Sequence, residues 1–272
     1  MSRWSEATAV VLGSDVVPSA IAHALRTRGW NVVMIDDIDP PGPWRGMSFV
    51  NAWYFGTAEL LNVAACFCAS VKSIPSVLRR RDMIAATSWS WQGVAASLLP
   101  EVIIDARNAA RPAQLRARVP EGLITVGCGD RYVAGEHVDV AVEADLDPPA
   151  TAHVLRAPRA GRVRSPFRVG DRIDAGEPLG DVSGSALVAP IAGVLSGVSA
   201  RGARVAPGQV VAEIDPRGDA AACYNPDPRA FRAAAAVARA LAAIGLPGDT
   251  RVSPSRHISD ANSNEPARTS TP

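Results

Sequence analysis

Between Leu155 and Asp215 the chain writes one half-motif twice. Ala157-Pro158-Arg159-Ala160-Gly161 returns as Ala189-Pro190-Ile191-Ala192-Gly193, thirty-two residues on. At the same offset Gly170 matches Gly202, Arg172 matches Arg204 and Gly176 matches Gly208. Leu155/Leu187, Val163/Leu195, Ile173/Val205, Leu179/Val211 and Val182/Ile214 keep their apolar character, so turns and buried positions repeat together. Such agreement marks an internal duplication. Each copy sets short β-branched or leucine-containing runs between glycines that can take positive φ, which reads as strand, turn, strand. Neither copy is long enough to bury a face alone, so the two are expected to pack on each other as one pseudo-symmetric all-β unit over residues 151–218.

The A-P-x-A-G and G-x-x-V-x-x-G pattern resembles the biotinyl/lipoyl-carrier type of barrel-sandwich hybrid. In carriers the modified lysine sits on the hairpin between the halves, which here reads Asp181-Val182-Ser183-Gly184-Ser185-Ala186 and has no lysine. Lys72 is the only lysine in the chain, so covalent biotin or lipoate on this hairpin is excluded. The expected role is a carrier-shaped module that braces or docks another domain.

With 272 residues there is room for one large or two modest domains. Charged residues are 20% of the chain and the net charge is +1, so no basic excess argues for nucleic acid. No apolar run approaches the roughly 20 residues of a membrane span, and Met1-Ser2-Arg3-Trp4-Ser5-Glu6 does not open a signal peptide. A cytoplasmic protein with no membrane partner is the expectation. Cys66, Cys68, Cys128 and Cys223 lack metal or disulfide spacing. A buried helix face is expected around Cys66 and Cys68. His23, His137, His153 and His257 are scattered, so no metal site is expected.

The first half reads as a Rossmann-like parallel α/β domain over 1–150. Ala7 to Leu12 is a strand stopping at Gly13, Pro18 to Arg28 a helix with Gly29 as its stop, and Trp30 to Asp36 a second strand ending in an acid. Pro40-Pro41-Gly42-Pro43 cannot be helix interior, and Ser48 is placed as the cap of a following helix. Further strands are expected at 82–87, 101–105, 122–127 and 139–143, with a helix over 91–99. Asp147-Pro148-Pro149 marks a domain boundary. Beyond the repeat, 219–247 carries an alanine-rich helix expected to pack back on the first domain, and 248–272 a polar tail expected to be disordered.

Strand ends on such a sheet present Gly13, Ser14, Asp15, Asp36, Asp105, Arg107, Gly127, Cys128 and Gly129, and the carboxyl edge is where ligands lie. Arg45 and Ser48, near the proline-rich connection, complete the candidate site. Arg45 and Arg107 offer planar two-pronged donors for phosphate or carboxylate. Capping and ion-pairing roles for Asp36 and Asp105, and a buried structural role for Cys128, stand beside the ligand roles. Gly13-Ser14-Asp15 lacks the second and third glycines of the dinucleotide fingerprint.

Over residues 7–245 the order of parts resembles the selenium-dependent molybdenum hydroxylase system proteins, with xanthine dehydrogenase accessory factors as more distant relatives. The resemblance rests on Gly13-Ser14, Ser19 to Leu25, Arg45-Gly46-Met47-Ser48-Phe49 and Ile103 to Arg107. It continues through Gly127-Cys128-Gly129, Ala134-Gly135 with Val138-Asp139, Leu155 to Pro158 and Val210 to Arg217. It implies a maturation factor for a molybdenum-cofactor hydroxylase, binding a nucleotide or molybdopterin-type cofactor, with a client molybdoenzyme or other redox enzyme as partner and possible homo-oligomers. Two alternatives stand beside it, a nucleotide-dependent oxidoreductase-like enzyme and a non-catalytic scaffold subunit of a redox or C1-pathway complex.

Overall fold

A computed structural model describes residues 7–107, 111–144, 153–225 and 227–246. The boundary at 147–149 and the tail at 248–272 lie outside these residues. Among them, eight strands form one sheet: β1 (Thr8–Leu12), β2 (Asn31–Ile35), β3 (Thr57–Leu60), β4 (Val63–Phe67), β5 (Met83–Thr87), β6 (Val102–Asp105), β7 (Ile124–Cys128) and β8 (Val140–Val142). Their order is β3-β4-β5-β2-β1-β6-β7-β8. β1 pairs in parallel with β2 on one side and β6 on the other, so the winding reverses direction between β1 and β6.

The expected Rossmann-like parallel sheet is corrected to a mixed sheet with few helices. β3 runs antiparallel to β4, because Leu61 and Asn62 both take positive φ (48° and 66°) and close a two-residue hairpin. Cys66 and Cys68 therefore belong to β4 and its continuation, not to a helix. Four helices serve this half: α1 (Val16–Thr27), α2 (Asn51–Phe55), α3 (Ile74–Leu78) and α4 (Trp91–Leu98). The described part of the β6–β7 connection contains no helix, in keeping with Pro112, Pro120 and Gly122. Ser48 caps nothing; its hydroxyl donates to the Trp44 carbonyl and closes a turn, and α2 begins at Asn51.

Alternation along the central strands sends side chains to both faces. Val11, Val32, Met34, Ile84 and Ile104 pack with Ile21 and Leu25 of α1 on one face. Val10, Leu12, Val33, Ala85 and Ile103 pack with Ile74, Leu78 and Val94 on the other. The last helix, α5 (Pro228–Ala243), lies against α1 and buries Ala230, Ala233, Ala234, Val237 and Leu241 in the first of these cores. Asp227 caps it, accepting from the Arg229 amide, and Pro228 occupies the first helical position.

The duplication is visible strand for strand. β9 (His153–Arg156), β10 (Gly161–Arg164), β11 (Arg172–Ile173) and β12 (Pro178–Val182) come from the first copy. β13 (Ser185–Val188), β14 (Gly193–Val198), β15 (Arg204–Val205) and β16 (Val210–Asp215) start at the equivalent residues of the second. The expected single barrel-sandwich hybrid is corrected to two separate four-stranded antiparallel sheets, β13-β12-β10-β15 and β11-β14-β16-β9. Exchanging copies converts one order into the other, so each sheet mixes strands of both copies. Between them lies one core of Leu155, Val163, Ile173, Leu179, Val182, Leu195, Val205, Val211 and Ile214. At the hairpin between the two copies Ser183 and Gly184 take positive φ in a two-residue turn, with Asp181 accepting from the Gly184 amide. No helix among the described residues is long and apolar enough to cross a membrane.

The two copies differ in what covers them. β14 and β16 are buried along nearly their whole length, whereas β10 alternates between buried and exposed. A strap leaving β2, residues 36–47, supplies the cover. The Val198 amide donates to the Pro43 carbonyl, the Ser199 hydroxyl to the Pro41 carbonyl (2.6 Å), and the Arg204 amide to the Asp39 carbonyl. Arg162 pairs with Asp39 at 2.9 Å, and Trp44 lies against Gly197, where a Cβ would come within 3.1 Å of the indole.

Candidate functional site

The site forms where β1, β2 and β6 end and the strap crosses them. Gly13 follows β1 with φ of 107°, and its amide donates to the Ile35 carbonyl. A Cβ there would meet Pro18 Cγ at 2.9 Å and Arg107 Cγ at 3.1 Å, so glycine lets the Arg107 side chain lie across the β1 turn. Ser14, buried, donates its hydroxyl to Asp36 Oδ2 at 2.6 Å. The Asp36 Oδ1 atom accepts from the Asp37 amide. Asp15 is the N-cap of α1: its Oδ1 accepts from the Val16 amide at 2.9 Å, while the strap's Gly42 packs beside the carboxyl. Ser19 ties this turn to the segment that follows the strap, donating to the Ser14 carbonyl and accepting from the Phe49 amide.

Asp15 is surrounded by protein, yet the residue keeps some solvent contact. Burial pushes its pKa up to about 7, and the charges of Asp36 and Glu213 add to the rise. Burial also raises Asp36, against which the Ser14 hydroxyl, the Asp37 amide and Arg107 work. Glu213 comes from β16; its carboxylate accepts from the Trp44 indole N–H, and burial raises it too. Three carboxyl groups from the first sheet and the duplicated region thus share one poorly hydrated junction. Of the cations, Arg107 acts on Asp36 and Arg229 on Glu213.

Arg107 forms a two-pronged pair with buried Asp105, Nε to Oδ1 at 2.9 Å and Nη2 to Oδ2 at 2.7 Å. Its side chain remains 44% exposed. Tyr132 lies against Gly127, and burial together with the neighbouring Asp105 raises the pKa of its hydroxyl. Arg45 donates from Nε to Asn51 Oδ1 at 2.7 Å and sits 5.3 Å from the Phe55 ring centroid. Tyr54, whose hydroxyl donates to the Pro40 carbonyl at 2.6 Å, links the two groups. Burial raises its pKa, Asp39 and Asp36 add to this, and Arg45 and Arg162 oppose it.

Of the sequence-derived candidates, Gly13, Ser14, Asp15, Asp36, Asp105, Arg107 and Arg45 are brought to this edge. Ser48 is buried behind the strap. Gly127 serves the packing of Tyr132, and the Gly129 amide extends the strand by donating to the Val142 carbonyl. Cys128 is fully buried in the core beneath the sheet, and burial pushes its pKa up to about 12, so it is a thiol there and not a thiolate donor. Sequence reasoning missed Tyr54, Trp44 and Glu213. A signal for Glu213 was present: it is the second-copy partner of Asp181, in a copy whose outward positions have lost charge, Arg162 becoming Val194 and Arg164 becoming Ser196. Among the described residues no cluster of three or more His, Cys, Asp or Glu is arranged to hold a metal.

No protein-family model matches the chain. It is 23% identical over 235 residues to the uncharacterized protein YqeB of Escherichia coli (strain K12), a match covering 78% of this chain and 43% of YqeB. The chain therefore spans less than half the length of that relative. Among solved structures, a succinylglutamate desuccinylase/aspartoacylase from Rhodobacter sphaeroides is 15% identical, with 71% of this chain and 61% of that one covered and a TM-score of 0.20. A protein of Shewanella amazonensis SB2B, placed provisionally in the same family, is 11% identical, with coverage of 76% and 90% and a TM-score of 0.23. These named likenesses are of the desuccinylase/aspartoacylase kind. None of these proteins is named as one of the molybdenum-hydroxylase kind, and the expectation of a maturation factor is withdrawn, together with its oxidoreductase and scaffold alternatives and the Rossmann-like nucleotide-binding label. At such TM-scores the likenesses carry neither fold nor chemistry over to this chain.

Proposed function

We propose that this protein binds a small polar molecule at the carboxyl edge of its first sheet, in the crevice between β1 and β6 where the winding reverses. In open α/β sheets that reversal splays two connections apart and leaves a crevice with backbone amides and strand-end side chains around it. The observation that carries the reading is the convergence there of Ser14, Asp15, Asp36 and Arg107, of which Asp15, Asp36 and Arg107 keep some solvent contact. Carboxyl groups held in place by amides and a hydroxyl suit hydrogen-bond donors on a ligand, such as vicinal hydroxyls or an amine. The duplicated region, tied to the strap, forms the far wall. We place this activity in the cytoplasm, where the four free cysteines stay reduced.

The test is mass spectrometry of small molecules retained through gentle purification, comparing the parent with Asp36→Asn and with Ser14→Ala. A retained polar compound that both variants lose supports the reading. Equal retention by all three proteins would move the ligand elsewhere.

A second reading, an enzyme that moves a proton through Asp15, is favoured by that residue's pKa of about 7, where a carboxyl both gives and takes protons at neutral pH. It predicts turnover that follows ionisation of one group near pH 7 and disappears in Asp15→Asn.

A further inference from the structure

Arg45 is held in one orientation and has no acid to satisfy it. Its Nε donates to Asn51 Oδ1, and Asn51 Nδ2 donates back to the Arg45 carbonyl at 3.3 Å. The Phe55 ring lies on one side of the guanidinium. Gly46 presses so close to the Cys223 carbonyl that a Cβ would stand 2.4 Å from it, and Trp44 is packed on Gly197, so the turn carrying Arg45 is clamped on both flanks. Among the described residues no carboxylate lies within ion-pairing distance of Arg45, in contrast to Arg107, Arg162, Arg217 and Arg229. Its pKa is lowered by burial, and Tyr54 alone is placed to oppose that.

A partly desolvated cation without a counterion lowers stability, and a rigid fork with two unused terminal nitrogens matches the planar geometry of an oxyanion. We propose that Arg45 is the anion subsite of the cleft: it receives a phosphate or carboxylate group of the ligand through Nη1 and Nη2, while Asp15 and Asp36 receive hydrogen-bond donors at the other end. The inference rests on the reading of the strand edge as a binding site. It specifies the ligand class as a small molecule with donor groups at one end and an oxyanion at the other. The strap joins the two ends: it leaves β2 at Asp36, is held by the Tyr54 hydroxyl at the Pro40 carbonyl, and reaches Arg45.

The full chain is titrated calorimetrically with inorganic phosphate and, separately, with succinate, against sodium chloride at matched ionic strength. The expected result is binding of one probe in the parent, weakened at least tenfold in Arg45→Met and in Arg45→Lys, which keeps the charge and loses the fork. Arg80→Met, at an exposed arginine that precedes β5 on the opposite edge of the sheet, should leave it within about twofold. Phosphate alone binding identifies a phosphorylated ligand, and succinate alone a carboxylated one. Arg45→Lys decides the matter if Arg45→Met fails to fold. Binding of neither probe, or binding unchanged in Arg45→Lys, overturns the subsite even if Asp36→Asn loses a retained compound. Arg45-dependent probe binding combined with retention that ignores Asp36 and Ser14 leaves this subsite standing and removes the wider reading.

Discussion

Asp15 does two jobs with opposite electrostatic demands. As the cap of α1 it satisfies an otherwise orphaned amide, while as a buried acid beside Asp36 and Glu213 it resists ionisation. The unfolded carboxyl titrates near 3.8 and the folded one near about 7, so within that window the folded protein binds more protons than the unfolded chain. Stability from this group is therefore complete below pH 4 and is lost as the pH rises toward 7. Asp15→Asn keeps the capping oxygen and removes the charge. It should exceed the parent in urea denaturation at pH 8 by on the order of 1–3 kcal/mol, with the gap closing below pH 4. Gly13→Ala should act the other way, lowering stability by about 1–3 kcal/mol at any pH, since both the φ of 107° and the approach of Pro18 and Arg107 penalise a Cβ.

Among the elements, α4 and α5 show how much each helix draws from its setting. α4 ends on Leu99, which adopts a left-handed conformation (φ 48°) while 80% exposed, so a leucine bears backbone strain and buries nothing in return. Leu99→Gly should raise the denaturation midpoint, by about 0.5–1 kcal/mol of stability, because glycine meets that conformation without a steric penalty. α5 owes its position to a stripe of small residues against α1, closed by fully buried Leu241. Leu241→Ala should cost about 2–4 kcal/mol in the same measurement. The β3–β4 hairpin was hidden in the sequence because Leu61 is a poor turn residue and Asn62 alone carries the signal. Helix and strand could not be told apart in the short apolar run that follows.

For the molecule as a whole, the strap is the connection that matters. Residues 36–47 begin at an acid of the cleft, pass Asp15, and end clamped between β14 and the segment around Cys223, so ligand contacts and inter-region contacts share one stretch of backbone. Trp44→Phe keeps the packing on Gly197 and removes the indole donor, leaving the buried Glu213 carboxylate short of a partner. It should lose about 1–3 kcal/mol at pH 8, and progressively less as acidification protonates the raised Glu213.

The duplication, the absence of a carrier lysine and the apolar strands of the first half were all legible in the amino-acid order, because turn glycines and alternating apolar residues are local properties repeated at a fixed spacing. So were Ser14, Asp36, Asp105 and Arg107, which follow strand ends. The direction of β3, the separation of the duplicated region into two sheets and the burial of Cys128 were not. The first turns on a two-residue hairpin whose Leu61 carries no turn signal, and the other two on which distant strands become neighbours. The cleft itself belongs to the tertiary structure: Glu213 lies 198 positions from Asp15 in the chain, and only the strap's passage between the sheets removes enough water to make their charges felt by one another.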